Sequence, residues 1–142
     1  MTELQERIHT LYHVHDYNCA RTTLLCLGER FGIPISQQVF DAAIGMHGAG
    51  FFRAQCGLVE GALMFFGLWG TEKGMTEEEI GKLCYRFAET FTERFGSLLC
   101  RELRPGGFQK TDPPHLCETL TGDSIAFAME FLERYPALPT AE

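Results

Sequence analysis

The residues of this sequence best suited to chemistry are its six cysteines. A cysteine thiolate can act as a nucleophile, ligate a metal or form half of a disulfide. No two of these cysteines have the Cys-x-x-Cys spacing with which zinc ribbons and thioredoxin-like sites bring a pair together locally. Any site built from these thiols must therefore be assembled by the fold from distant segments.

The beginning of the chain indicates which compartment these thiols occupy. Residues 1–7 are polar and acidic, with no apolar core of a signal peptide, and no stretch is long enough to span a membrane. We expect no secretory signal and a cytoplasmic location. A stable disulfide framework is disfavoured in a reducing compartment, so the high cysteine count indicates metal ligation or redox chemistry.

The charge of the chain limits its partners. It has 12 Lys and Arg against 19 Asp and Glu, for a formal net charge of -7 at pH 7. Nucleic acids and anionic membranes both require clustered cations, so we expect neither as a partner. The expected partner is a redox protein of unknown identity, and a homodimer remains open.

Predicted helix boundaries divide the cysteines into two groups. A helix start offers unpaired N–H donors and partial positive charge, which should lower a thiol pKa. If several such starts converge, their thiolates repel one another, and either a bound metal or cluster or oxidation to disulfides relieves the repulsion. Cys26 and Cys84 lie in helix middles and are predicted to be core residues. The cysteines in the first or second turn of a predicted helix are Cys19, Cys56, Cys100 and Cys117.

Apolar residues recur at helical spacing through most of the chain, and no strand alternation is present. The prediction is an all-α, single-domain bundle of about five to seven helices over residues 1–142, with a glycine-rich loop before the central helix and a frayed tail over 136–142. Thr76 and Glu79 form a capping box for a helix that ends near Phe95. The other helices are predicted to begin at residue 2, after the cap Asp16 (residues 17–31), at the cap Ser36 (36–44), at Cys56, after the cap Ser97 (98–103), after the cap Asp112 (a helix that includes Cys117) and at Gly122.

Glycines surround the start of the central helix. Gly57 and Gly61 lie four residues apart on one helix face, where they would let another backbone approach closely. The loop before them, 45–50, lacks the Gly-Lys-Ser/Thr and the preceding strand of a phosphate-binding loop. It is better interpreted as backbone that approaches a sulfur-rich site. The residues predicted to bind a cofactor there are Gly48, Gly50, Gly57 and Gly61.

Histidines cluster at the end of the first predicted helix. His9 and His13 are one turn apart on one face, with His15 close by, a spacing that metals accept. Histidines near a helix C-terminus are more often partners of the helix dipole, and that interpretation is favoured. The sequence assigns no role to His47 or His115.

The arrangement of cysteines resembles the putative redox-active family named for its pattern of Cys, Gly-Cys-Ala-x-x-Gly, Cys and Cys. The resemblance covers about residues 16–120. This sequence has Cys-Gly where the family name has Gly-Cys, and Leu58 where it has Ala, so Cys56 is interpreted as the equivalent thiol. A related segment accompanies a split-Soret type cytochrome, in which the cysteines resemble an iron–sulfur ligand set. The matching segments are Asn18-Cys19-Ala20, the glycines of 45–50, 56–63, 95–100 and Cys117.

Three functions follow from these patterns. The first is a small redox protein whose four helix-start cysteines bind an iron–sulfur cluster, or another soft metal, for electron transfer. The second is a thiol–disulfide oxidoreductase that uses two of the four as redox thiols. The third is a non-catalytic helical interaction module with buried structural cysteines. Whether the chemistry is enzymatic remains open.

Overall fold

The computed structural model describes residues 1–104, 106–107, 109, 111–113 and 115–135. This part of the chain contains eight helices and no strand, so the all-α prediction is confirmed. The count exceeds the predicted five to seven because two helices are single turns of four residues. The tail over 136–142 lies outside the described residues. The helices are α1 Glu3–His13, α2 Cys19–Phe31, α3 Gln37–Ala42, α4 Gly48–Phe51, α5 Gly57–Glu72, α6 Glu77–Phe95, α7 Cys100–Leu103 and α8 Glu118–Arg134.

Helix α5 is the centre of the fold. Its sequence is apolar on nearly every side, and it packs most extensively against α2, then against α6 and α8. Helix α1 covers the other side of α2 and α8. No helix in the described ranges is long and apolar enough to cross a membrane.

An aromatic cluster joins α5, α6 and α8. The Phe66 ring packs edge-on against Phe87, with 4.8 Å between ring centroids, and Phe87 packs against Phe131 at 5.3 Å. Phe66, Phe87 and Phe91 are fully buried. The phenylalanine stripe of α6 is therefore core, as its spacing predicts.

One predicted helix start and one predicted loop differ from the structure at the N-terminal side of the fold. Asp16 does not cap α2; it has a left-handed backbone, with φ of 54°. Asn18 is the cap instead, because its side chain accepts a hydrogen bond from the backbone N–H of Arg21. The predicted loop at 45–50 also contains the single turn α4, in which Ala49 and Gly50 are left-handed.

The later boundaries differ as well. Helix α5, which the sequence predicts to start at Cys56, ends at Glu72. Leu99, rather than Ser97, is the N-cap of α7, and α8 begins at Glu118 and runs without a break through Gly122. A glycine inside a helix costs only about 1 kcal/mol relative to alanine, and the buried residues on both sides of Gly122, such as Thr121 and Ile125, favour a continuous helix. The capping box of Thr76 and Glu79 is present as predicted.

Candidate functional site

The four helix-start cysteines line one pocket of about 570 Å³. Cys19 is the first residue of α2, Cys56 the N-cap of α5, Cys100 the first residue of α7 and Cys117 the N-cap of α8. Four separate helix N-termini therefore point into the same space. The convergence expected from the sequence is present, and each of the four cysteines lies at the N-cap or first residue of its helix.

The remaining two cysteines lie elsewhere. Neither Cys26 nor Cys84 is among the residues that line the pocket. Cys26 is 3% exposed in the middle of α2, and Cys84 is half-buried on α6. All six cysteines are free thiols.

A short antiparallel contact places Cys56 beside Cys100. The backbone N–H of Cys56 donates to the carbonyl of Leu98 at 2.8 Å, and the N–H of Cys100 donates to the carbonyl of Ala54 at 2.7 Å. Gln55 and Leu99 form an isolated β-bridge between these bonds. The sequence gave no signal for this pairing, since two-residue bridges carry no detectable alternation.

Close packing of α5 on α2 places Cys19 beside Cys56. A Cβ added at Gly61 would lie 2.6 Å from the carbonyl oxygen of Ala20, and one at Gly57 would lie 3.0 Å from the Cβ of Cys19. Both glycines therefore admit the backbone of α2, as their spacing predicts. Only Gly57 of this pair lines the pocket.

The glycine-rich segment approaches the pocket from another side. Gly48 has φ of +72°, and a Cβ there would lie 3.3 Å from the Cβ of Cys100. Gly50 is also left-handed, but a Cβ there would meet nothing within 4 Å. Neither glycine lines the pocket. Direct cofactor binding by Gly48, Gly50, Gly57 and Gly61 stays a prediction.

Asn18 anchors the start of α2 to the segment after α3. Its side-chain amide donates to the carbonyls of Ala43 and Ile44, at 3.0 and 2.8 Å, while its oxygen caps the helix. One side chain thus fixes both the direction of α2 and the position of Cys19. The sequence reasoning missed this role because Asp16 offered an equally good cap two residues earlier.

Arg104 contacts the sulfur of Cys117, and Tyr12 lies beside the sulfur of Cys19. The Arg104 guanidinium donates from Nη1 to the sulfur of Cys117 at 4.0 Å and forms an ion pair with Asp112 at 3.2 Å. The hydroxyl of Tyr12, which also lines the pocket, lies 2.6 Å from the hydroxyl of Thr121, which in turn donates to the carbonyl of Cys117. Nothing in the sequence pattern distinguished Tyr12 from an ordinary core residue.

The sequence-based expectation of low thiol pKa values is wrong for this site. Burial raises the pKa of Cys19 to about 11, and the other pocket thiols add to the shift. Burial also raises the pKa of Cys56, Cys100 and Cys117. Desolvation of these sulfurs outweighs the partial charge of the helix N-termini. The thiols are therefore protonated at neutral pH when nothing is bound to them.

The spacing of the sulfurs limits what they can hold. The charges of Cys100 and Cys117 raise the pKa of both Cys19 and Cys56, so these sulfurs lie near one another. No three of the four pocket sulfurs lie within 4.8 Å of one another. Within the described ranges, the only group of three metal-ligating side chains that close together is His9, His13 and Glu118. Tetrahedral ligation of one ion by sulfur at about 2.3 Å requires sulfurs about 3.8 Å apart. The donor set is all sulfur, and its sulfurs are more widely spaced than a single ion requires.

The other histidines take different positions. His47 lines the pocket, and its buried Nδ1 has no hydrogen-bond partner. His15 is exposed and stacks on Tyr17, apart from His9 and His13. His115 lines the pocket edge, where its Nε2 lies 2.8 Å from Asp16.

Comparison with known proteins gives one finding. Residues 17–131 match the model of the family described as "Putative redox-active protein (C_GCAxxG_C_C)". Searches of curated proteins and of solved structures found no match. The matched range includes all four pocket cysteines and most of the chain, and the chain therefore belongs to this family of putative redox-active proteins.

Proposed function

We propose that this protein carries electrons through an iron–sulfur cluster held by Cys19, Cys56, Cys100 and Cys117. The observation that carries the proposal is that these four cysteines, and neither of the other two, line a single pocket. Cysteine thiolates are the usual ligands of [2Fe–2S] and [4Fe–4S] clusters. Such a cluster supplies one-electron redox chemistry, and its potential depends on the groups around it.

The residues around the pocket fit that role. Arg104 donates toward the sulfur of Cys117, and charge and hydrogen bonds near ligating sulfurs tune the potential of a cluster. Arg21 and Arg53 also line the pocket. Positive charge at these positions offsets the negative charge of four thiolates. The apolar lining supplied by Leu58 and Leu103 limits access of water.

The thiol pKa values favour metal ligation over thiol–disulfide exchange. An attacking cysteine works best when its pKa is near the ambient pH. All four pocket thiols have a raised pKa, chiefly because of burial. A coordinating metal deprotonates its thiol ligands outright and so overcomes the same burial. The thiol–disulfide alternative lacks this compensation.

The experiment is anaerobic reconstitution of the reduced chain with ferrous iron and sulfide. We expect visible charge-transfer absorption that bleaches on reduction, together with bound iron and labile sulfide in equal amounts. Replacing any one of the four pocket cysteines by serine should remove or destabilise the bound group. Cys84→Ser is the matched control, because Cys84 is half-buried and off the pocket.

Two outcomes would contradict the proposal. One is a reconstituted wild-type chain without iron. The other is equal iron content in the pocket variants and in Cys84→Ser, as an interaction module with structural cysteines would give. Thiol counts that fall by two on oxidation, with no metal bound, would support the oxidoreductase instead. The proposal places the protein in the cytoplasm with a redox protein as its electron partner.

A further inference from the structure

A second group of metal-ligating side chains lies outside the cysteine pocket, between the end of α1 and the start of α8. His9 Nδ1 is 2.9 Å from Oε2 of Glu118, and His13 Nε2 is 2.7 Å from Oε1 of the same carboxylate. One donor atom from each of the three side chains lies within 4.8 Å of the other two. None of the three lines the cysteine pocket.

We propose that His9, His13 and Glu118 form a binding site for a divalent transition-metal ion of the zinc class. Histidines at positions i and i+4 of a helix present both imidazoles on one side, the spacing with which helical His pairs chelate zinc. Here the sequence between them, Thr10-Leu11-Tyr12, keeps both on the exposed side of α1 while Leu11 and Tyr12 face the core. The third ligand comes from 105 residues further along the chain than His13.

The geometry requires only a small adjustment to take an ion. Zinc bound at about 2.0–2.1 Å by imidazole nitrogen and 2.0–2.2 Å by carboxylate oxygen places tetrahedral ligand atoms about 3.4 Å apart. The histidine in contact with the ligating Glu118 oxygen, at 2.7 or 2.9 Å, must therefore move away by about 0.5–0.7 Å. Any other pair of ligand atoms more than 3.4 Å apart starts within 4.8 Å and must move closer. Side-chain exposures of 51% for His9, 42% for His13 and 27% for Glu118 leave room for that change.

Metal binding requires each histidine to free the ring nitrogen that now bonds to Glu118. In a neutral imidazole one ring nitrogen carries the proton and the other is free to bind a metal. Each histidine would move its proton to the nitrogen away from the ion. Three protein ligands leave a fourth position for water, as in other open zinc sites.

The surroundings suit a cation. The chain has a net charge of -7. The ring of His115 lies 5.6 Å from that of His13 between centroids, and its Nε2 is already engaged by Asp16. His115 and Asp16 are therefore neighbours of the site and are not among its ligands.

An ion there would link two parts of the fold that frame the cysteine pocket. Glu118 directly follows Cys117, and Tyr12 directly precedes His13. A metal bridge between α1 and α8 would hold the Cys117 end of α8 against Tyr12. The site is nevertheless distinct from the sulfur pocket, and its occupancy does not depend on whether that pocket holds a cluster.

The test is titration with cobalt(II) of the full, reduced chain, without a histidine tag and with a phosphine reductant. Cobalt bound by thiolates shows intense sulfur-to-metal charge transfer in the near ultraviolet, whereas cobalt bound by nitrogen and oxygen shows only weak visible bands. We expect one cobalt ion bound without the sulfur signature. His13→Ala and Glu118→Gln should each weaken the binding of this cobalt ion by about 10-fold to 100-fold. His15→Ala is the matched control, because His15 is exposed in the same segment and outside the group, and it should bind as the wild type does.

Thermal unfolding with and without zinc separates a metal site from a purely structural clamp. If Glu118 only holds the two histidines by hydrogen bonds, His13→Ala lowers the melting temperature by the same amount with and without zinc. If the site binds the ion, zinc raises the melting temperature of the wild type and of His15→Ala but not of His13→Ala or Glu118→Gln. Cobalt affinity that is unchanged in both ligand variants, or bound cobalt that always shows the sulfur signature, would overturn the proposal.

Discussion

Gly61→Ala tests the idea that close backbone packing assembles the cysteine pocket. The Cβ of the new alanine would lie 2.6 Å from the carbonyl oxygen of Ala20 and 2.9 Å from its Cα. Ordinary contact begins at 3.4 Å, so α2 and α5 must separate by about 0.8 Å at this point. The obstacle is backbone, so a change of rotamer cannot relieve it.

The expected cost follows from two opposing effects. Overpacking a well-packed interior costs typically about 1–3 kcal/mol. Replacing glycine by alanine inside a helix returns about 0.5–1 kcal/mol through backbone entropy. Taking the middle of each range, about 2 and about 0.75 kcal/mol, we expect Gly61→Ala to lower the free energy of unfolding by about 1 kcal/mol. Cys19 immediately precedes Ala20, so the bound iron after reconstitution should fall as well.

Gly67→Ala is the control within the same helix. A Cβ at Gly67 would meet nothing within 4 Å, so only the favourable helix term applies. This variant should be more stable than the wild type by about 0.5–1 kcal/mol. Urea unfolding of the reduced, metal-free chains measures both changes. Equal or greater stability of Gly61→Ala relative to the wild type would refute the reasoning about helix approach.

Three further predictions concern the groups around the sulfurs. Burial raises the pKa of Cys19 from 9.0 to about 11 in the folded chain, so its contribution to stability is complete below pH 9 and is lost as the pH rises through 11. The loss in the free energy of unfolding is about 2–3 kcal/mol. Urea unfolding of Cys19→Ala should therefore show a smaller loss of stability at alkaline pH than the wild type does. Tyr12→Phe removes the fully buried hydroxyl bonded to Thr121, so it should cost about 1 kcal/mol in thermal or urea unfolding, and no change would contradict the role of that bond. Arg104→Gln removes a positive charge beside Cys117, so the reduction potential of the reconstituted protein should fall; an unchanged or higher potential in voltammetry would count against the proposed ligation.

Local signals in the sequence predicted much of the architecture. The capping box of Thr76 and Glu79 and the apolar stripe of α6 are present as expected, because both depend on residues within a few turns of each other. The start of α2 was misplaced because Asp16 alone was considered as the cap, although Asn18 is an equally good cap by residue type. Asn18 is the cap in the structure because its side chain also bonds to the carbonyls of Ala43 and Ile44, a contact that no local pattern reveals.

The sequence predicted which cysteines line the pocket, but it did not predict the pKa values of their thiols. Cysteine positions near helix starts distinguished Cys19, Cys56, Cys100 and Cys117 from the other two, and the pocket contains these four. The predicted low thiol pKa was wrong because burial, which is set by the whole fold, outweighs the local effect of a helix N-terminus. The contacts of Tyr12 and Arg104 with the site were missed because they span long separations in the chain.

The sequence alone determined the helical class, the central apolar helix and the two glycines that let α2 approach it, since helical periodicity and glycine spacing are local properties. The tertiary structure decided which distant residues became neighbours. The pairing of 54–56 with 98–100, and the carboxylate of Glu118 between His9 and His13, both depend on how complete helices pack. Such contacts are chosen by the total burial and hydrogen bonding of the whole chain, and no short stretch of residues specifies them.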